Sequence, residues 1–204
     1  AQPRSLGEAT AFPGYAPGDL LLPRPPSDKL PTVRKCEGDQ MADAPSTVTD
    51  LVERFDRQAD AYRRGAINET QVRVEFIDPL FIALGWDVHN RAGYAEAYKD
   101  VIHEDAIKAG APDYCFRVGG TRKFFLEAKR PSVDLGREID PAYQLRRYAW
   151  SAKLPLSILT DFEEFAVYDC RVRPKALDKP SAGRTIYFNY TDYPRRWDEI
   201  ASIF

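Results

Sequence analysis

The chain has 204 residues, 44% of them hydrophobic, with 29 Lys and Arg against 31 Asp and Glu. That length predicts one domain plus a tail with enough apolar content for a sizeable core, and no apolar run approaches the length of a membrane span. Three cysteines (Cys36, Cys115 and Cys170) and two histidines (His89 and His103) lack the spacing of a disulfide framework or a zinc site, and a formal net charge of −2 is not that of an autonomous, tight nucleic-acid binder.

The N-terminus shows no basic-then-apolar export pattern, so a reducing, cytoplasmic setting is expected. Residues 1–46 are rich in Pro, Gly, Ala and charge, as in Pro23-Arg24-Pro25-Pro26, and carry no helical or strand period. They are expected to form an extended or disordered N-terminal arm, with 47–204 as the folded domain. Met41 is the only methionine. It is a candidate natural start with residues 1–40 as an upstream extension; the alternative is a genuine arm lying on the domain.

Thr47–Arg64 follows helical spacing through Leu51, Phe55 and Ala59. Asn68 is placed to cap a second helix, Glu69–Leu84, with Val72, Phe76, Leu80 and Leu84 on its apolar stripe. Pro79 inside it is expected to bend or split it, and Gly85 to end it. Trp86-Asp87-Val88 is expected to begin a short strand, and residues 89–110 to be loop and edge-strand material. A β-hairpin follows, with Asp113 opening its first strand, Gly119-Gly120 turning, and Lys123–Lys129 returning. After a linker, Pro141 is placed at the start of a helix running to Lys153. Pro155–Thr160 reads as a buried strand and Phe165–Asp169 as its hairpin partner. Thr185–Tyr190 is expected as a last strand and Trp197–Phe204 as a short helix. The order predicts an α/β fold with a mixed sheet flanked by helices.

The chemistry concentrates in the first hairpin. Side chains alternate along a strand, so Glu127 and Lys129 share a face with Phe125, while Phe124, Leu126 and Ala128 face the other way. A carboxylate ending a buried aromatic run is costly unless paired or metal-bound. Asp113 and Glu127, from adjacent strands, can converge on one hard cation such as Mg²⁺. The Lys129 ammonium can then reach the same point to position or activate a water. That is a constellation for cleaving phosphodiesters. On the following helix, Gln144 and Tyr148 stand at i and i+4 on one face, able to hydrogen-bond a carboxylate, a lysine-bound water or a phosphate.

Pro112-Asp113 followed by Glu127-Ala128-Lys129, with Gln144-Leu-Arg-Arg-Tyr148 behind it, resembles the PD-(D/E)XK nuclease motif. The resemblance spans roughly residues 50–204. It looks closest to the N-terminal nuclease domain of type I restriction R subunits and of fused type IIG restriction-methylases. A QxxxY pair after ExK is found in type I R subunits and RecB-like nucleases.

The resemblance implies a restriction-endonuclease-like core and a Mg²⁺-dependent DNA endonuclease, with Mn²⁺ able to substitute. In that reading Asp113, Glu127 and the Ala128 carbonyl bind metal, with Glu69 completing the site directly or through water. Glu75 is a rival for that position. Lys129, Gln144 and Tyr148 serve catalysis, and Arg130, Arg146 and Arg147 meet the backbone of double-stranded DNA. Tyr187–Trp197 resembles the junction where fused enzymes pass to a methyltransferase, so methyltransferase or specificity domains or subunits are expected partners. A repair or recombination nuclease of the same fold, or a non-catalytic DNA-binding or assembly module, are the alternatives.

Overall fold

The computed structural model describes residues 44–204. The expected N-terminal arm therefore lies outside the described residues, apart from its last three positions; of these, Ser46 opens the first helix.

The first expected helix divides in two, α1 (Ser46–Asp56) and α2 (Ala59–Arg63), with a break at Arg57-Gln58. Val48, Leu51 and Phe55 are the buried stripe of α1. Asn68 caps the next helix as expected, accepting from the Gln71 N–H while the Gln71 side chain accepts from the Asn68 N–H.

That helix does not run evenly to Leu84. It begins as α3 (Glu69–Val72), widens into one π-turn over Arg73–Ile77, and resumes as α4 (Asp78–Ala83). In the wide turn the Asp78 N–H donates to Arg73 O, five residues back. Proline at 79 has no N–H to offer Glu75 O. The freed carbonyl instead accepts from Arg54 Nη2 of α1. Pro79 thus splits the helix as its chemistry predicts, and a guanidinium from another helix takes the orphaned acceptor.

Trp86–Val88 forms no strand. The first strand is β1 (Val101–His103), followed by β2 (Tyr114–Val118) and β3 (Thr121–Ala128). Gly119 and Gly120 turn the hairpin with φ of 57° and 79°, a conformation that costs glycine nothing. Helix α5 (Ile139–Ser151) crosses over to β4 (Leu156–Thr160). It starts two residues earlier than expected, so Pro141 is its third residue. Then come β5 (Glu164–Asp169), β6 (Arg184–Asn189) and α6 (Trp197–Ala201).

The six strands among the described residues form one sheet in chain order, β1 to β6. Neighbours are antiparallel except β3 and β4, which are parallel because α5 carries the chain back over one face. The sheet is therefore mixed and the domain α/β.

Strand alternation divides the core. Phe116, Phe124, Leu126, Ile158 and Phe165 pack with the buried stripes of α1 and α4. Phe125, Leu159, Ala166 and Tyr168 pack with Leu145 and Ala149 of α5 on the opposite face. The Phe124/Phe125 division predicted from the period of two holds, and it puts Glu127 on the α5 side.

A candidate active site at the end of the hairpin

Tyr114 pairs with Leu126 and Cys115 with Phe125. Continuing that antiparallel register by one residue sets Asp113 opposite Glu127. Asp113 Oδ2 accepts from the Ala128 N–H at 2.8 Å, which ties the two strand ends together. Its Oδ1 lies 3.3 Å from Arg73 Nη1.

Glu127 is 3% exposed. Its Oε1 accepts from Lys129 Nζ at 2.9 Å and from Gln144 Nε2 at 2.8 Å. Its Oε2 is buried without a hydrogen-bond partner among the described residues. Burial, then the nearby Asp113 carboxylate, push the Glu127 carboxyl up to about 7, against the opposing pull of Lys129. Around the Lys129 ammonium, burial acts to lower the pKa. Glu127, Glu69 and Asp113 outweigh it and hold the group above its ordinary value.

Gln144 Nε2 also donates to Tyr148 Oη at 3.0 Å. Of the partners open to this pair in the sequence, the helix offers Gln144 to the carboxylate, and Tyr148 backs Gln144. Tyr148 is itself held by a close approach: a Cβ on Gly110 would lie 2.7 Å from its ring, and Gly110 has φ +140°.

Glu69 and Glu75 separate cleanly. Glu75 is exposed. Glu69 is half-buried and its Oε2 lies 3.8 Å from Lys129 Nζ. Burial first, and Asp113 second, raise its carboxyl, with Lys129 pulling the other way. Glu69 therefore lies beside Lys129, whereas Glu75 is turned out to solvent. However, no group of three His, Cys, Asp or Glu among the described residues gathers closely enough to hold a metal ion. Glu69 meets the lysine here rather than standing as a third ligand beside Asp113 and Glu127. What does fit a cation is the pair of facing carboxylates, one of which has a buried oxygen that no protein group satisfies. A cation there would answer the buried Glu127 oxygen that no group among the described residues satisfies.

The basic residues divide. Arg130 is exposed next to the site. Arg147 is exposed, donates to Ala109 O at 3.2 Å and lies over the Tyr148 ring. Arg146 is corrected: it is 4% exposed and its Nη1 bonds Asp178 Oδ2 at 2.9 Å. It pins the loop between β5 and β6 and cannot meet a DNA backbone.

Arg73 was absent from the residues predicted from sequence. Its only signal was position, four residues after Glu69 and hence on the same face.

The chain is 42% identical over 159 residues to the type II restriction enzyme and methyltransferase RM.Eco57I of Escherichia coli. The match covers 75% of this chain and 16% of that protein, so the chain spans about one-sixth of its relative. Among solved structures, it is similar to the type IIG restriction endonuclease BpuSI, with a TM-score of 0.43 and 16% identity over 64% of this chain and 17% of that one. No protein-family model matches the chain.

Proposed function

We propose that this chain is the Mg²⁺-dependent DNA endonuclease domain of a restriction–modification enzyme, with a PD-(D/E)XK site built by Asp113, Glu127 and Lys129. The observation that carries the reading is the convergence of Asp113, Glu127, Lys129 and Gln144 around a carboxylate whose Oε2 has no protein partner. Homology over 159 residues to a protein named a restriction enzyme and methyltransferase supports it independently. The coverage of that relative supports a fused arrangement, in which methylation and sequence recognition reside in other parts of a longer protein.

Asp113 and Glu127 would hold the cation. When bound, it would supply positive charge for a non-bridging phosphate oxygen and for the attacking water. The protein's own residues do the rest. The Ala128 N–H fixes one oxygen of Asp113. Gln144 and Lys129 both occupy Glu127 Oε1, so Oε2 is the oxygen left to face a ligand. Lys129, kept protonated by the surrounding carboxylates, sets a fixed ammonium where charge develops on the phosphorane. Arg130 and Arg147 provide exposed cations for the DNA backbone without reading bases. With 29 basic and 31 acidic residues, the chain's own grip on DNA is weak and salt-sensitive. A cytoplasmic enzyme acting on double-stranded DNA follows from the same reading.

Plasmid nicking in Mg²⁺ or Mn²⁺, against EDTA, tests this. Wild type is expected to nick. Lys129→Ala is expected to lose about 10²–10³ in rate while keeping its fold and most of its metal binding, because a charged lysine offers no lone pair to a metal. Nicking by Lys129→Ala at the wild-type rate would refute the mechanism.

A further inference from the structure

The two central carboxylates are not equivalent. Glu127 has a free buried oxygen. Asp113 has no unpartnered oxygen: Oδ2 accepts from the Ala128 N–H and Oδ1 faces the Arg73 guanidinium at 3.3 Å.

Arg73 is held there from several sides. Its side chain is 17% exposed. The guanidinium lies 4.8 Å over the Tyr114 ring and 3.9 Å from Glu104 Oε1. Its Nη2 is 3.4 Å from His103 Nδ1. His103 Nε2 lies 3.2 Å from Val88 O; a carbonyl accepts only, so Nε2 carries the proton and Nδ1 is left to accept from Arg73. Arg73 opens the π-turn, a backbone irregularity that recurs at functional positions. An aromatic face, an imidazole acceptor and two carboxylates thus form a seat shaped for a guanidinium beside Asp113.

We infer that Arg73 is a resident counter-ion of Asp113 that competes with the divalent cation for Oδ1 and so sets the metal affinity of the site. This rests on the nuclease reading above. A cation drawing on Asp113 must share or displace the guanidinium, and the work of breaking that charge-assisted contact weakens metal binding. Arg73 is a positioning residue, acting on metal through Asp113. Without metal it neutralises a carboxylate that would otherwise face Glu127 uncompensated.

Calorimetric titration of the full chain with Mn²⁺, paired with thermal unfolding in EDTA, tests the inference. Arg73→Gln is expected to bind Mn²⁺ about tenfold more tightly, the factor associated with losing one hydrogen bond to a charged group, and to melt at a lower temperature in EDTA. Arg73→Lys, which keeps the charge but not the forked geometry, is expected to fall between. It also serves as the test if Arg73→Gln does not fold. Mn²⁺ affinity at or below the wild-type level in the folded variants overturns the inference and leaves the nuclease reading intact. Absence of Mn²⁺ binding in wild type and variants alike overturns both.

Discussion

Glu127→Gln isolates the electrostatic strain that the site carries without metal. The carboxyl is raised from its ordinary 4.5 to about 7, chiefly by burial, and the residue is only 3% exposed. The unfolded chain therefore loses this proton near pH 4.5, while the folded protein keeps it to about pH 7. Between those values the folded state binds more protons, so stability falls as pH rises. The contribution is fully present below pH 4.5 and gone above pH 7. At about 1.4 kcal/mol per pH unit, the loss is about 3 kcal/mol. Glutamine keeps the shape, and its oxygen can still accept from Lys129 and Gln144, but it does not titrate. Urea unfolding in EDTA from pH 4 to pH 8 should therefore show the wild type losing about 3 kcal/mol relative to Glu127→Gln. If Asp113 and Glu127 hold Mg²⁺ as proposed, saturating Mg²⁺ should reverse the trend, because a metal would bind the ionised carboxylate and stabilise the state that holds it. A difference that stays flat within about 1 kcal/mol across this range would refute the assignment of Glu127 as the strained, desolvated carboxylate.

Two further outcomes probe the supports of the site. Gly110→Ala forces a methyl group to within 2.7 Å of the Tyr148 ring at φ +140°; it should cost about 1–3 kcal/mol in unfolding experiments and, by releasing Gln144, slow nicking about tenfold or more. Unchanged stability and rate would show that Tyr148 does not brace the site. Arg146→Met removes the buried partner of Asp178 and should lower Tm by about 3–6 °C with DNA retention on a filter unchanged, whereas Arg147→Ala should weaken retention without lowering Tm. The opposite pattern would return Arg146 to the DNA surface.

The hairpin was legible because each of its determinants is local. Gly119-Gly120 fixes the turn, and a one-residue register shift between Phe116 and Arg117 then sets Asp113 against Glu127 rather than Leu126. The i, i+4 spacing of Gln144 and Tyr148 likewise needs only a helix to bring them together, and their bond at 3.0 Å bears it out. The failures share the opposite property. Arg146 and Arg147 are neighbours of one chemical type; the buried stripe Ala142, Leu145, Ala149 takes in Arg146, but the partner that lets a guanidinium stay there, Asp178, is 32 residues away in a loop. The strand expected at Trp86–Val88 did not form, while the edge strand expected within 89–110 is Val101–His103, a three-residue strand whose place is selected by its partner β2 and not by its own composition. The choice between Glu69 and Glu75 depended on where the helix widens. Pro79 announced a disruption, but its form was set by Arg54 of α1, which captures Glu75 O.

The same wide turn governs the charge balance of the site. It begins at Arg73, so α3 presents Glu69 and the first residue of the turn presents Arg73 toward the hairpin end, while Phe76, Ile77, Leu80 and Phe81 stay in the core. Three carboxylates, from Asp113, Glu127 and Glu69, then face two cations, Arg73 and Lys129. The excess negative charge falls where it is hardest to solvate, on Glu127, whose carboxyl accordingly holds its proton to about pH 7. In the proposed nuclease, a divalent cation would remove the need for that proton and for the Arg73 contact together. Occupancy should therefore rise with pH through neutrality and rise again when Arg73 is removed. Both dependences arise from burial of Glu127 and the excess of negative charge around it, so a site in which only one of them appeared would have its carboxylates arranged differently from this one.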